Sequence, residues 1–331
     1  MLKIIIALIC VGFAAAGAVA FEIYRYADAP ISDTRVVKTV TIPAGRPFDT
    51  AIDILSGQNL VDHRFKFSLV ARIKGYDRRI KAGEYRLSTS MSPLQILEKM
   101  VRGEVVLHRL TIPEGYDLVR IAAAVESGGW SDSKAFLSAA RDEAFVRRFG
   151  FEAASFEGYL FPETYYFSSD ADAGEIITAM AERFKSVFKP EWKTAAEQKG
   201  FSVHEIVTLA SIIEKETGID AERPLVSSVF HNRLKRGMRL QSDPSVIYGI
   251  HEFDGNITRK HLTTRTPYNT YMITGLPPGP IANPGIKSIE AALFPADTDY
   301  LFFVARKDAT HVFSTNLRDH NRAVQKYQLG R

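Results

Sequence analysis

The sequence predicts an α+β protein with one N-terminal transmembrane helix, a small α+β domain and a larger α+β domain. Three observations support this class. Residues 4–21 form an uncharged apolar run, residues 36–106 mix short strand-like and helix-like patterns, and residues 203–218 form a long uninterrupted helical pattern in a mixed second half. The 331 residues leave room for two or more domains, and the 46% hydrophobic and 24% charged shares are ordinary for globular proteins.

The N-terminal apolar run is preceded by Lys3 and has 18 residues, which is just enough to cross a bilayer as a helix. The alternative is a cleaved signal peptide, because Ala18-Val19-Ala20 fits a small-x-small cleavage site. An uncleaved anchor over residues 1–21 is favoured, since the apolar run continues at full length up to that site. Lys3 on the cytoplasmic side places the remaining chain outside. A short polar tether is predicted over residues 22–35.

The small domain is predicted over residues 36–106. Its first segment, VTIPAG from Val40, is echoed by LTIPEG from Leu110, and each copy precedes a helix-like pattern. Between the copies, residues 80–87 alternate like a strand, and Ser92-Pro93 opens a helix with a serine cap and a proline in its first turn. Two copies are too few for a solenoid.

The larger domain is predicted over residues 107–331. Residues 121–200 are mostly helical, but they are interrupted by an aromatic segment, FEGYLFPETYYF, that holds Glu157 and Glu163. For Tyr159 and Tyr165 two interpretations stay open. Dense aromatic residues usually form core, and aromatic faces beside carboxylates also bind sugar rings.

The helix predicted over residues 203–218 organises the chain. Its apolar stripe is bordered by Glu214 and Glu216 in the last turn, and Gly218 is the expected C-cap. The two carboxylates lie about 200° apart around the helix axis, so they cannot act on the same substrate atom. Partial burial would raise the pKa of either one. A solvated helix end is the alternative, and helix geometry alone does not choose between the two glutamates.

A long polar connection follows a second helix over residues 223–235. It contains MRLQSDPSVIYG from Met238 and TPYNTYMITGLPPGPIANPG from Thr266. A connection of this length in a compact domain is usually disordered or functional. Disorder is unfavoured because Tyr268, Tyr271 and Leu276 supply apolar anchors. Strands over residues 300–305 and 310–314 and a polar helix from Asn316 complete the chain.

Composition and motifs exclude several kinds of chemistry. The net charge is +4, from 42 basic and 38 acidic residues, which is too small a bias to predict a nucleic-acid partner. Cys10 is the single cysteine, so no intramolecular disulfide or cysteine metal site can form. The sequence has no phosphate-binding loop, GxSxG or HExxH motif, and its eight histidines are scattered. No cofactor or metal is predicted, and acid–base chemistry by a carboxylate remains.

The segments LASIIEKETG, SSVFHNRLKRGMRLQSDPSVIYG, TPYNTYMITGLPPGPIANPG, HVFSTNLRDHN and EGYLFPETYYF, taken with the N-terminal anchor, resemble the endolytic murein transglycosylases of the YceG-like family. The resemblance covers nearly the whole chain. It implies a LysM-like region ahead of a catalytic transglycosylase domain, in a single-pass protein of the bacterial inner membrane whose catalytic domain is periplasmic. The expected reaction cleaves β-1,4 bonds between N-acetylmuramic acid and N-acetylglucosamine and leaves 1,6-anhydromuramic ends.

The same resemblance assigns the catalytic role to Glu214, the first glutamate of the EKET motif. Expected partners are peptidoglycan glycan strands, the membrane and the peptidoglycan synthases of elongation or division, with termination of strand elongation as a further role. Substrate binding is predicted for polar and aromatic residues that suit acetamido groups, hydroxyls and sugar rings: Gln241, Ser242, Asp243, Tyr248, Tyr268, Asn269, Tyr271 and Asn283. Asp243 is equally well explained as a cap on the turn before Pro244.

Two other functions stay open. One is a hydrolase of the same polymer in which Asp243 or Glu163 activates water. The other is a non-catalytic scaffold that binds the wall polymer through the LysM-like region.

Overall fold

The computed structural model describes residues 2–250 and 253–330. Residue 1, the first of the predicted anchor, and residue 331, the last of the predicted larger domain, lie outside this range. The chain divides into two compact units: Met1–His108 with Tyr166–Asp170, and Arg109–Tyr165 with Ala171–Arg331. Helices predominate, and in the described part of the chain each sheet has two strands. The α+β class is confirmed.

The small unit contains four helices and a two-stranded antiparallel sheet. The strands pair from Val37 opposite Ser88 to Ile42 opposite Gly83. Its elements are α1 (Leu2–Asp28), β1 (Val37–Ile42), α2 (Phe48–Gly57), α3 (Arg64–Ile73), β2 (Gly83–Ser88) and α4 (Pro93–Arg102).

Helix α4 begins as the sequence predicts. The Ser92 hydroxyl accepts a hydrogen bond from the Gln95 N–H, and the Gln95 side chain accepts one from the Ser92 N–H. This capping box satisfies two N–H groups that would otherwise lack a helical partner.

The end of α1 differs from the predicted tether over residues 22–35, because the helix continues to Asp28. Tyr26 and Ala27 are buried in the core of the small unit, and Ile23 packs against that core. These three residues have the i, i+3, i+4 spacing of one helix face, which explains why the helix continues. By length and composition α1 could cross a membrane, with a mean hydropathy of 2.7 over its most apolar window, although a signal sequence would have the same properties.

The larger unit is mainly helical. Two of its strands, β5 (Phe302–Ala305) and β6 (His311–Ser314), lie wholly within it, and it also contains β3 (His108–Thr111) from Arg109 on and β4 (Thr164–Phe167) up to Tyr165. Its helices are α5 (Leu118–Ser127), α6 (Ser133–Ala140), α7 (Glu143–Arg148), α8 (Ala173–Val187), α9 (Pro190–Gln198), α10 (Val203–Glu216), α11 (Arg223–Lys235), α12 (Asp243–Tyr248), α13 (Arg259–Thr263), α14 (Ile286–Leu293) and α15 (Leu317–Tyr327).

Helix α10 is the centre of the larger unit. Ser202 and Glu205 form a capping box at its start, and all eight residues from Ile206 to Ile213 are buried. It packs against α9, α11, α12 and α14. The predicted C-cap at Gly218 is wrong, because the helix ends at Glu216 and Thr217 is already extended with φ −144°. Buried Thr217 fixes this exit, since its hydroxyl accepts the Ile219 N–H at 3.1 Å.

The end of the chain matches the sequence prediction. Strands β5 and β6 form an antiparallel hairpin with Phe302 opposite Ser314, and Asn316 caps α15 by accepting the Asp319 N–H. The amphipathic α15 packs against both strands.

We expect a soluble chain that begins at Glu22 to be more stable than one that begins at Val36. The shorter chain lacks Ile23, Tyr26 and Ala27, and loss of a large buried aromatic side chain usually costs about 3–5 kcal/mol. Hydrogen exchange of buried amides in the small unit, for example at Leu55 and Leu97, measures the difference. Equal protection in the two chains would contradict a core role for the end of α1.

Candidate active site

The last turn of α10 holds the two glutamates in different surroundings. The Glu214 side chain is 6% exposed and the Arg223 side chain is 5% exposed. The Arg223 guanidinium donates to the Glu214 carboxylate at 3.3–3.4 Å, and the Gly285 N–H donates to it at 3.0 Å. Glu214 is therefore one half of a buried ion pair.

Other groups join this ion pair. Arg223 also donates to the Ser288 hydroxyl at 2.9 Å and pairs with Asp220 at 3.2 Å, and Glu114 lies 3.7 Å from its guanidinium. Burial raises the pKa of the Glu114 carboxyl, the negative charge of Glu214 raises it further, and Arg223 opposes both effects. Arg223 thus holds several carboxylates together and joins α10, α11 and α14.

Glu216 points the other way. Its carboxylate accepts a hydrogen bond of 2.5 Å from the Ser242 hydroxyl. Burial raises its pKa to about 7, the Ser242 hydrogen bond and the positive charge of Arg233 lower it, and the negative charge of Asp243 raises it. Arg233 is not within ion-pair distance of Glu216 among the contacts of the described residues. A carboxyl group with this pKa carries a proton for part of the time near neutral pH and can act as a general acid.

An open pocket of about 510 Å³ lies against Glu216. Its lining includes Gln241, Asp243 and Tyr271 together with residues of strand β5 and helix α15. Polar and aromatic side chains line it together, among them Arg233, Phe302, His311, His320, Asn321 and Gln328. A site of this size and lining suits a polar ligand with ring faces.

The wall around Gln241 is held by the Thr270 segment. Gln241 has a φ of 51°, in the left-handed region, and its N–H donates to the Thr270 carbonyl at 3.2 Å. The Ser242 N–H donates to the Thr270 hydroxyl at 2.9 Å. Left-handed backbone at a residue other than glycine is costly and persists where neighbouring contacts hold it, often at functional sites.

Asp243 and Tyr271 form the outer part of the same wall. The Tyr271 hydroxyl donates to the Asp243 carboxylate at 2.7 Å, and Arg239 donates to the Tyr271 carbonyl at 2.8 Å. Burial and the neighbouring Asp243 raise the pKa of the Tyr271 phenol, so it stays a neutral donor.

Arg233 was not among the predicted site residues. Its guanidinium donates to the Leu301 and Leu240 carbonyls at 2.7 Å each and lies 5.3 Å from the centre of the Phe302 ring. A signal was present in the sequence, because Arg233 shares the helical spacing of the apolar residues Val226, Val229 and Phe230. A basic residue on an apolar face usually has buried acceptors.

A further buried carboxyl, Glu157, was considered in the sequence only as part of the aromatic segment. It is 4% exposed and accepts from the Leu118 N–H, the Tyr248 hydroxyl and the Asn283 amide, each at 3.1 Å. Burial raises its pKa to about 8, and the Leu118 hydrogen bond opposes this shift. The Tyr268 ring lies 4.8 Å from the Tyr248 ring.

The predicted substrate-binding residues therefore fall into three groups. Gln241, Asp243 and Tyr271 line the pocket beside Glu216, and buried Ser242 binds Glu216 directly. Tyr248, Tyr268 and Asn283 surround or adjoin Glu157.

Asn269 forms the third group, and its side chain is used within the protein. It donates to the His261, Leu262 and Thr264 carbonyls and accepts the Tyr271 N–H. Asn269 and Asn283 are at most 1% exposed, so both hold loops in place.

The aromatic segment contributes core rather than pocket wall. Tyr159 is 1% exposed, and its hydroxyl lies 2.8 Å from His204 Nδ1. The Tyr165 hydroxyl donates to the Phe161 carbonyl at 2.5 Å, and Glu163 pairs with Arg183. Within residues 2–250 and 253–330, no group of three or more His, Cys, Asp or Glu side chains is placed to hold a metal ion.

Comparison with known proteins identifies the family. The YceG-like family model matches residues 40–326, so the chain belongs to this family. The chain is 35% identical over 311 residues to the endolytic murein transglycosylase of Bacillus subtilis (strain 168), covering 89% of this chain and 86% of that protein. It is 33% identical over 321 residues to the protein of the same name from Streptococcus pneumoniae serotype 2 (strain D39 / NCTC 7466), covering 87% of this chain and 58% of that longer protein.

A solved structure has the same fold. The 2.6 Å crystal structure of a putative YceG-like protein from Listeria monocytogenes superposes with a TM-score of 0.60 at 36% identity, covering 88% of this chain and all of that one.

We expect substitution of the two α10 glutamates to affect stability in opposite directions at pH 8. Glu214→Gln leaves Arg223 buried beside a neutral amide, and breaking a buried ion pair usually costs about 3–5 kcal/mol. Glu216→Gln removes a charge whose burial is unfavourable at pH 8, so it should stabilise the fold.

The pH dependence of Glu216→Gln provides the control. The folded pKa of Glu216, about 7, lies above the ordinary value of 4.5. Its contribution to stability is therefore complete below about pH 4.5 and is lost as the pH rises through 7. Relative to the parent, the free energy of unfolding of Glu216→Gln should increase as the pH rises from 5 to 8. Hydrogen exchange of α10 amides measures the free energy of unfolding. An equal loss of stability in Glu214→Gln and Glu216→Gln would contradict the different surroundings of the two glutamates.

Proposed function

We propose that this protein is an endolytic lytic transglycosylase that cleaves the glycan strands of peptidoglycan. The names of its relatives support the activity and the polymer. The single observation that carries the proposal is the Glu216 carboxyl, which combines a pKa of about 7 with a place on an open polar pocket. Acid-catalysed cleavage of a glycosidic bond needs a protonated carboxyl group in such a site.

We assign the acid to Glu216 rather than to Glu214. A general acid must carry a proton and must reach the substrate. The Glu214 carboxylate is engaged by the Arg223 guanidinium and the Gly285 N–H, all of them donors. Glu216 has one hydroxyl donor and lines the pocket. Glu214, to which the family resemblance assigns the role, is the alternative that the experiment below distinguishes.

The reaction then needs only one carboxyl group. Protonated Glu216 donates to the glycosidic oxygen while the bond to the muramoyl anomeric carbon breaks. The Glu216 carboxylate next takes the proton of the muramoyl C6 hydroxyl, whose oxygen bonds to the anomeric carbon and closes the 1,6-anhydro ring. The proton returns to Glu216 and no water is consumed. Because the nucleophile belongs to the same sugar, positioning that hydroxyl supplies the proximity advantage.

The neighbours of Glu216 have separate roles. The Ser242 hydroxyl orients its carboxylate, and Arg233 supplies a nearby positive charge that favours the carboxylate formed after proton donation. Gln241 and Asp243 offer hydrogen-bonding groups to sugar hydroxyls and acetamido groups, and Tyr271 offers a ring face. The cleaved bond is the β-1,4 bond between N-acetylmuramic acid and N-acetylglucosamine.

A water-using muramidase is the second candidate. Asp243 lines the same pocket as Glu216, so a second carboxylate is available to activate water. The first candidate is preferred because the relatives are named transglycosylases and because the hydrogen bond from the Tyr271 hydroxyl makes the Asp243 carboxylate a weaker base. Glu163, the other carboxylate considered for this role, is paired with Arg183.

The location follows from α1. An uncleaved α1 would hold the protein in the bacterial inner membrane as a single-pass protein with the catalytic domain, residues 107–331, in the periplasm. Residues 36–106 would be a LysM-like domain that binds glycan strands. Action on nascent strands beside peptidoglycan synthases, with termination of their elongation, completes the proposal.

The test is digestion of purified peptidoglycan by the soluble chain from Glu22, with product ends identified by mass spectrometry. The parent should release anhydromuramoyl ends. Glu216→Gln should lower the rate at least about 100-fold, which is the lower range for loss of a general acid. Glu214→Gln should retain more activity per folded molecule than Glu216→Gln, because the Glu214 substitution lowers stability but leaves the proposed acid in place.

Each other result has a definite meaning. Reducing ends, which are one water heavier than anhydromuramoyl ends, would support the muramidase instead of the transglycosylase. Full activity of Glu216→Gln with an inactive but folded Glu214→Gln would return the role to Glu214. A folded parent that cleaves neither purified peptidoglycan nor nascent strands would favour the scaffold.

A further inference from the structure

The small unit has an exposed apolar groove beside α1. The groove encloses about 740 Å³ between α1 and α3, and its lining includes Ala15, Ala16 and Val19 of α1 with Val70 and Ile73 of α3. None of the proposed catalytic or substrate-binding residues line it. Exposed apolar grooves of this kind usually contact another molecule.

Helix α3 runs back along α1 toward the apolar span. At its start, Lys66 lies 3.4 Å from the Glu22 carboxylate and 5.8 Å from the centre of the Tyr26 ring. At its end, Ile73 and Lys74 line the groove together with Ala15 and Ala16. The advance from Lys66 to Lys74 is about 12 Å and that from Glu22 to Ala15 is about 10 Å, so the two helices match in length.

This arrangement brings the end of α3 to the depth of the bilayer surface. The uncharged apolar run of α1 has 18 residues and ends at Phe21, and a membrane span needs about 20 residues, so the whole run is used. Ala15 then lies about 9 Å inside Phe21. Side chains of interfacial helices reach about 5–10 Å into the boundary between headgroups and acyl chains. Tilt of α1 and local thinning of the bilayer accommodate the difference between the depth of Ala15 and the depth that an interfacial helix reaches.

The chemistry of the α3 end suits an anionic lipid surface. Ile73 is 67% exposed. Arg72, Lys74, Arg78 and Arg79 are exposed and lie within six residues of it in the sequence, and Asp77 is the single acidic residue between positions 72 and 79. Among the described residues, none of these four basic side chains forms an ion pair. Long basic side chains can keep their charged ends at the phosphates while their stems lie against apolar groups.

We propose that the end of α3 docks on the bilayer surface from which α1 emerges. Ile73 enters the acyl boundary, and its basic neighbours bind the headgroups of anionic phospholipids. The small unit is thereby held at the membrane by two contacts instead of hanging from a flexible tether. This goes beyond the proposed catalysis and rests only on the membrane insertion of α1.

The experiment uses the full chain in vesicles of phosphatidylcholine with or without phosphatidylglycerol. Ile73→Trp reports on the proposed contact, and Phe65→Trp, 78% exposed on the same helix, is the matched control. The signal of the two native tryptophans is measured in the parent and subtracted. Quenching by lipids brominated in the acyl chain should be at least about threefold stronger at position 73, since the two positions lie about 12 Å apart along the helix.

The headgroup contact has its own control. Arg72→Gln/Lys74→Gln in the Ile73→Trp chain should lose the increase in quenching that phosphatidylglycerol produces. Arg46→Gln/Arg86→Gln, with the same change in net charge on exposed residues of the same unit, should retain it.

Three results would overturn the proposal. These are equal quenching at positions 65 and 73, quenching independent of phosphatidylglycerol, and quenching that disappears as protein density rises, which would place a second copy of the chain on the groove. Flotation with the vesicles separates these results from a failure of α1 to insert, and peptidoglycan cleavage by the soluble chain is scored independently.

Discussion

The burial of the last turn of α10 is the constraint on which the site depends. Two carboxyl groups about 200° apart on a buried helix end must each find compensation or carry a proton. Glu214 finds compensation in Arg223, and this ion pair fixes α11 and α14 beside α10. Glu216 has no such partner among the described contacts, and its pKa rises to about 7. One helix end thus provides a structural ion pair and a candidate acid.

The long connection after α11 becomes a site because its own polar groups are satisfied internally. Asn283 joins two loops to Glu157. Asn269 donates to three carbonyls and accepts the Tyr271 N–H, so the pocket wall that includes Tyr271 is held rigid by contacts within the protein. This rigidity keeps Gln241 in the left-handed region. The residues that face the pocket are therefore fewer than the polar residues in the connection. A site held in this way needs little reorganisation on binding.

Much of the fold could be predicted from local sequence signals. The capping box of α4, the apolar stripe of α10 and the β5–β6 hairpin depend on neighbours within a few residues. The roles of Glu214 and Glu216 could not be predicted, because Arg223, Ser242 and Arg233 meet them only in the folded chain. The extension of α1 was visible in the spacing of Ile23, Tyr26 and Ala27, but the polar residues between them concealed it.

Catalysis by Glu216 requires that its carboxyl carry a proton near neutral pH. The most direct measurement is an infrared titration of carboxyl stretching bands in the soluble chain from Glu22, as a difference between the parent and Glu216→Gln. We expect the parent to have a protonated carboxyl that titrates near pH 7 and Glu216→Gln to lack it. A Glu216 carboxyl that is already ionised at pH 5 would contradict the assignment of Glu216 as the acid.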